Sequence, residues 1–132
     1  MRALALIMLG GVALVGCEAY KQQTKAKMLE NQSRAYVKAV RWSKFSDATG
    51  FLRRRGGGQP PPDLSLYKGI RVTNSEMTVS SDGPDALEAQ MIAVFDYYRD
   101  DAPSIRSVTQ AAIWWYDPLD QAWYLDSGLP EF

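Results

Sequence analysis

From Leu64 onward, apolar and polar residues alternate with a period of two, the pattern of half-buried β-strands. Over residues 68–83 the apolar positions are Ile70 and Val72, then Met77 and Val79. The change of phase predicts a bulge or turn near Asn74–Ser75. The run "ALEAQMIAVFDYYRDD" sets Met91, Ala93, Phe95 and Tyr97 on one face, and Gln90, Ile92, Val94, Asp96 and Tyr98 on the other. "SIRSVTQAAIWWYDP" sets Val108, Gln110, Ala112, Trp114 and Tyr116 against Thr109, Ala111, Ile113 and Trp115. "QAWYLDSG" sets Trp123 and Leu125 against Tyr124 and Asp126. Turn residues at 81–84, 100–103 and 117–120 separate the runs, and connections this short require antiparallel neighbours.

Upstream the period changes. In residues 33–52 the positions Tyr36, Val37, Val40, Phe45, Ala48, Phe51 and Leu52 follow helical spacing. Two short helices or one bent helix are expected, with Ser33 capping the first turn and Ser43 or Ser46 a second. Trp42 is expected to pack under the bend. Residues 17–32 are polar and rich in Lys and Gln, with only a thin stripe at Tyr20, Thr24, Lys27 and Met28. They read as a solvated helical tether. The predicted fold class is α+β: N-terminal helices packed on one face of a four-stranded antiparallel meander, with the folded domain spanning residues 33–132.

The stretch "RRRGGGQPPPD", residues 53–63, suggests a phosphate loop at first sight. No Gly-Lys-Ser/Thr follows the glycines, and prolines stand where a helix would begin. It reads instead as a basic helix end, a flexible glycine stretch and a stiff polyproline stretch leading to the sheet.

Composition narrows the function classes. Lys+Arg and Asp+Glu are both 15, so no global field draws in nucleic acid. There is no histidine, which removes the commonest general base and metal ligand. "DGPDALE" lacks the oxygen spacing of a calcium loop. No metal and no cofactor are expected. The one cysteine, Cys17, excludes an intrachain disulfide or redox pair.

Cys17 follows a positive start, Met1-Arg2, and an uncharged, mostly aliphatic run from Ala3 to Gly16. As a helix that run would reach roughly 21 Å, short of the ~30 Å hydrocarbon core of a bilayer. It reads as a cleaved export signal covering residues 1–16. Leu14-Val15-Gly16-Cys17 resembles the bacterial lipobox at all four positions. The resemblance implies a diacylglycerol on the Cys17 sulfur, cleavage before Cys17 and acylation of the new N-terminus. Two or three acyl chains hold a protein almost permanently on a membrane, where one holds it marginally. The implied location is the periplasmic side of the bacterial cell envelope, the outer membrane favoured over the inner, although Glu18 at the next position can favour inner-membrane retention.

Helices first, then a proline-rich crossing, then long hairpins, with Arg41-Trp42 in the helical part and Trp123 to Pro130 closing the chain, resemble the nuclear transport factor 2-like superfamily and small proteobacterial lipoproteins. A cystatin-like helix on a sheet is an equally economical plan. The superfamily resemblance implies a pocket between helices and sheet, here near Trp42, Phe95 and Tyr97. It also includes isomerases with an Asp base and a Tyr donor. Asp96 is the one position to consider, and it falls on the more polar face, where a surface pair with Arg99 or Arg71 is expected. A non-enzymatic protein is therefore expected.

Trp114 and Trp115 are adjacent, so they point to opposite faces of one strand. Helices cover one face only. The other would expose Ile92, Val94, Tyr98 and one of Trp114 and Trp115, an apolar patch of the kind that marks an interface. Arg stems or the C-terminal Leu129–Phe132 segment would be the competing cover. The leading expectation is a lipid-anchored module that binds another copy of itself or an envelope protein through this face. The alternative is a site for a small lipid or cell-wall fragment between helices and sheet.

Overall fold

The computed structural model describes residues 15–132, with side chains from Thr24 onward. The leader segment before Val15 lies outside the described residues, and so does the Cys17 side chain. The elements run α1 (Val15–Arg41), α2 (Phe45–Thr49), a 3-10 turn (Leu64–Tyr67), then β1 (Ile70–Ser80), β2 (Glu88–Arg99), β3 (Ala102–Asp117) and β4 (Ala122–Leu125). The strands form one antiparallel sheet in the order β1-β2-β3-β4, and both helices pack against it. The architecture is the α+β meander expected from the sequence. Among the described residues, no helix is long and apolar enough to cross a membrane.

The strands follow the period-two pattern closely. Met91, Ala93, Phe95 and Tyr97 are buried, as are Trp114, Trp123 and Leu125. The register of β1 on β2 shifts between Val72 and Asn74, which places the expected bulge at Thr73 and keeps Met77 and Val79 on the inner face. Gly69, with φ +77°, turns the chain into β1 and accepts the Asp100 N–H from the β2–β3 turn at 2.9 Å.

The helical part differs from expectation in three ways. First, α1 is continuous through Ser33. That side chain is buried mid-helix and donates back to Glu30 O at 3.2 Å, so it caps nothing. Second, docking begins before residue 33. Trp123 donates its indole N–H to Lys25 O at 3.0 Å and its backbone N–H to Gln32 Oε1 at 2.9 Å, and Leu29 is buried. The stretch from Lys25 to Gln32 is thus part of the domain and not a free tether. The cause is Trp123, a large ring that needs both apolar cover and an acceptor.

Third, the bend is closed by backbone and not by a serine cap. Ser43, at φ +56°, donates its N–H to Val40 O at 3.0 Å, and Lys44 donates to Ala39 O at 2.8 Å. These are the two bonds of a Schellman termination. Lys44 then precedes α2 with no side-chain cap. Trp42 does not pack under the bend. It is 61% exposed, with the Arg41 guanidinium 4.7 Å from its ring.

The C-terminal segment turns inward. Leu129 is buried, and Phe132 meets Tyr97, Phe45, Tyr67 and Phe95 at centroid distances of 4.8, 5.6, 6.1 and 6.3 Å. Arg99 Nη2 and the Tyr67 hydroxyl fix it by donating to Phe132 O and Pro130 O.

Candidate functional site

The uncovered face of the sheet is set by register. Ile92 on β2 lies opposite Ala111 on β3 and Thr78 on β1. Gln90 lies opposite Ile113, and Val94 opposite Thr109. Ile92 is 54% exposed and Ile113 is exposed beside it, while Val94 and Tyr98 are half-buried. This is a small aliphatic patch in a frame of threonines and Gln90, on rigid paired strands. Tyr98 lies farther down β2, opposite Arg71. Of the residues expected on this face, Ile92 is exposed and Val94 and Tyr98 are half-buried, and Ile113 is exposed beside Ile92.

The tryptophans divide as adjacency requires. Trp114 is fully buried on the inner face, edge-on to Tyr36 at 6.0 Å, with its indole N–H on Met91 Sδ at 3.3 Å. It is core and not surface. Trp115 is the outward one, but it is not a free ring. Its indole N–H donates to Arg53 O at 2.9 Å, and its ring lies 5.7 Å from Tyr124, its cross-strand partner.

That contact exists because residues 51–53 run along β4. Leu125 N–H donates to Phe51 O at 2.8 Å and Arg53 N–H to Leu125 O at 3.0 Å. Arg53 then folds over the outer face. Its guanidinium stacks 3.8 Å above the Tyr124 ring and reaches Asp117 at 3.1 Å and Asp120 at 2.7 Å. The Tyr124 hydroxyl donates to Asp120 at 2.8 Å. The hydrogen bond from Tyr124 and then that from Arg53 hold the Asp120 carboxyl below the usual carboxylate range. The bond to Asp120 pushes the Tyr124 hydroxyl up. The other two arginines also have acidic partners, Arg54 with Asp126 and Arg55 with Glu88. The arginine run is thus a clasp across β2, β3 and β4 and not the basic end of a helix, since α2 stops at Thr49. Its signal was the pair of acids at Asp117 and Asp120, spaced across one turn.

Of the residues expected to line a pocket, Trp42 is exposed while Phe95 and Tyr97 are buried against Phe132. The chain's own phenylalanine fills the space that the resemblance left for a ligand. Asp96 accepts from Ser107 Oγ and from Asn74 Nδ2, and neither Arg99 nor Arg71 pairs with it. Arg71 reaches Asp100 instead, at 3.4 Å. Asp96 sits in a polar outer-face network, with no apolar cone around it.

A groove of about 330 Å³ lies elsewhere, at the end of the sheet beside the middle of α1. Leu29 and Ser33 line it from the helix, Met77 and Val79 from β1, Pro84 from the β1–β2 hairpin and Trp123 from β4. Among the described residues, no three His, Cys, Asp or Glu side chains cluster as metal ligands.

The chain matches no protein-family model, no curated protein and no solved structure.

Proposed function

We propose that this chain is a lipid-anchored protein of the bacterial cell envelope, on the periplasmic side and by preference at the outer membrane, whose domain is a non-enzymatic protein-binding module. The observation that carries the binding part is the Ile92–Ile113 patch. It is aliphatic, exposed and carried by paired strands, while the inner-face residues Met91, Ala93, Phe95 and Trp114 of the same strands are buried. Leu14-Val15-Gly16-Cys17 supports the anchor, with acyl chains on Cys17 holding the membrane. The helical backbone between Cys17 and the docked residues from Lys25 onward supports a short stalk between that anchor and the domain. Helices preceding a four-stranded meander support placing the domain with the nuclear transport factor 2-like or cystatin-like folds.

A second reading has one observation in its favour. The groove between Leu29, Met77, Val79 and Trp123 is large enough for a small apolar ligand, such as a lipid or cell-wall fragment. It replaces the position first expected near Trp42.

The test is affinity recovery of the protein from crosslinked envelopes, comparing the native chain with Ile92→Glu and with Met77→Glu. The outer-face reading predicts that Ile92→Glu loses specific co-purified proteins at unchanged thermal stability, while Met77→Glu retains them. An unchanged set of proteins with Ile92→Glu contradicts it. Loss of a co-purified small molecule with Met77→Glu supports the groove reading instead.

A further inference from the structure

The two edges of the sheet are protected unequally. On the far side, β4 pairs only with Trp114–Asp117 of β3, the passing chain at Phe51–Arg53 covers β4 in turn, and among the described residues 104–112 of β3 have no strand beside them on that side. At the start of β1, side chains do the same work. Arg41 Nη1 donates to Val72 O at 2.7 Å, Ser43 Oγ to Ile70 O at 3.1 Å, and Val72 N–H to Ser43 Oγ at 3.5 Å. Beyond the bulge, none of the described residues bonds to the free side of Asn74–Ser80. An open strand edge is a template for another strand. The groove lies beside this open edge, and its β1 side chains, Met77 and Val79, are only half-buried.

We infer that this edge pairs with the same edge of a second copy of the chain, antiparallel about a twofold axis at Met77. Charge decides the occupant and the direction. Lys68 and Arg71 stand at the start of β1, with Arg71 also reaching Asp100 of its own chain at 3.4 Å, and Asp82 and Asp85 stand just beyond its end. Neither aspartate has an ion-pair partner among the described residues. Antiparallel pairing brings the basic start of each strand to the acidic end of the other, twice per dimer. Parallel pairing would set like against like. Within the ladder, Met77 faces Met77 of the partner subunit, Glu76 faces a threonine, and Ser75 faces a valine. No like charges are directly opposed, and the surface is self-complementary, as a twofold interface requires. The second copy adds its backbone to the ladder, the strand-addition mode of recognition. This concerns the edge and not the outer face, and it stands with or without the lipid anchor.

The test uses the purified full chain carrying Cys17→Ser, with Thr78→Cys as probe and Ile105→Cys, on exposed β3, as control. Diagonal neighbours across an antiparallel pair lie ~7–8 Å apart, within reach of a short bis-maleimide. Covalent dimer is expected several-fold more with Thr78→Cys than with Ile105→Cys. Asp82→Lys with Asp85→Lys should reduce it several-fold, and adding Lys68→Asp and Arg71→Asp should restore it. Equal cross-linking at both positions, or a dimer indifferent to charge reversal, overturns the inference. In the unsubstituted protein, amide exchange at Ser75–Val79 should slow as concentration rises. Exchange independent of concentration contradicts self-pairing even where a variant fails to fold.

Discussion

The Tyr36 hydroxyl of α1 donates a 2.7 Å hydrogen bond to Gln110 Oε1 of β3, and both side chains are buried. The amide group of Gln110 passes the connection on. Its Nε2 donates to Gly128 O at 2.9 Å and to Ser127 Oγ at 3.2 Å. One glutamine thus ties the helix, the sheet and the C-terminal segment together. Burial pushes the Tyr36 pKa up, so the hydroxyl keeps its proton and remains a donor. Tyr36→Phe leaves a buried carbonyl oxygen without a donor, which costs about 1–3 kcal/mol. Urea unfolding should show a lower midpoint with an unchanged slope.

Phe132 fills the inner end of the sheet, and Trp42 fills nothing. Phe132→Ala should destabilise by about 3 kcal/mol, the scale for removing a packed aromatic ring. Trp42→Ala should change stability by less than about 0.5 kcal/mol, as exposed positions do. Paired thermal melts check both. Equal losses would mean that Trp42 packs against the core after all.

The strands were readable from the sequence because the inward positions are mostly apolar, buried Gln110 being an exception, and each turn carries Asp, Gly or Pro. The inner-face residues Met91, Phe95, Trp114 and Trp123 follow from alternation alone. Three features were not readable, each for a physical reason. The fate of Trp115 depended on Arg53, a residue distant in sequence whose partners are set by tertiary contact. The pocket near Phe95 and Tyr97 depended on where Phe132 would go, and a short apolar tail can cover either face. The helix end at Ser43 depended on a left-handed residue that is usually glycine, so periodicity gave no sign of it.

Ser43 holds its left-handed conformation for the sake of its side chain, which donates to Ile70 O. A non-glycine residue there costs roughly 1–2 kcal/mol. Ser43→Gly relieves that cost and loses the bond, while Ser43→Ala keeps the cost and loses the bond. Ser43→Ala should therefore be the less stable variant by about 1 kcal/mol, read from denaturant midpoints. The reverse order would show that a side chain at the left-handed position 43 carries no such backbone cost.

The Arg53 clasp should respond to acid. The folded Asp120 carboxyl titrates below its unfolded value, so its contribution is present above about pH 3.9 and fades as pH falls through the lowered value. The Trp115 indole N–H resonance, tied to Arg53 O, should shift in a transition centred below the ordinary Asp range. Asp120→Asn should remove that transition while leaving the fold intact. A midpoint at the ordinary Asp value would show that the carboxylate gains nothing from Tyr124 and Arg53.

The proposed attachment through Cys17 would set where every other surface operates. Intact mass of the protein taken from native membranes tests it most directly. The account predicts a chain beginning at Cys17 and heavier than its amino acids by a diacylglyceryl group and an N-terminal acyl group. A chain that still carries Met1, or one with an unmodified thiol at Cys17, would contradict it.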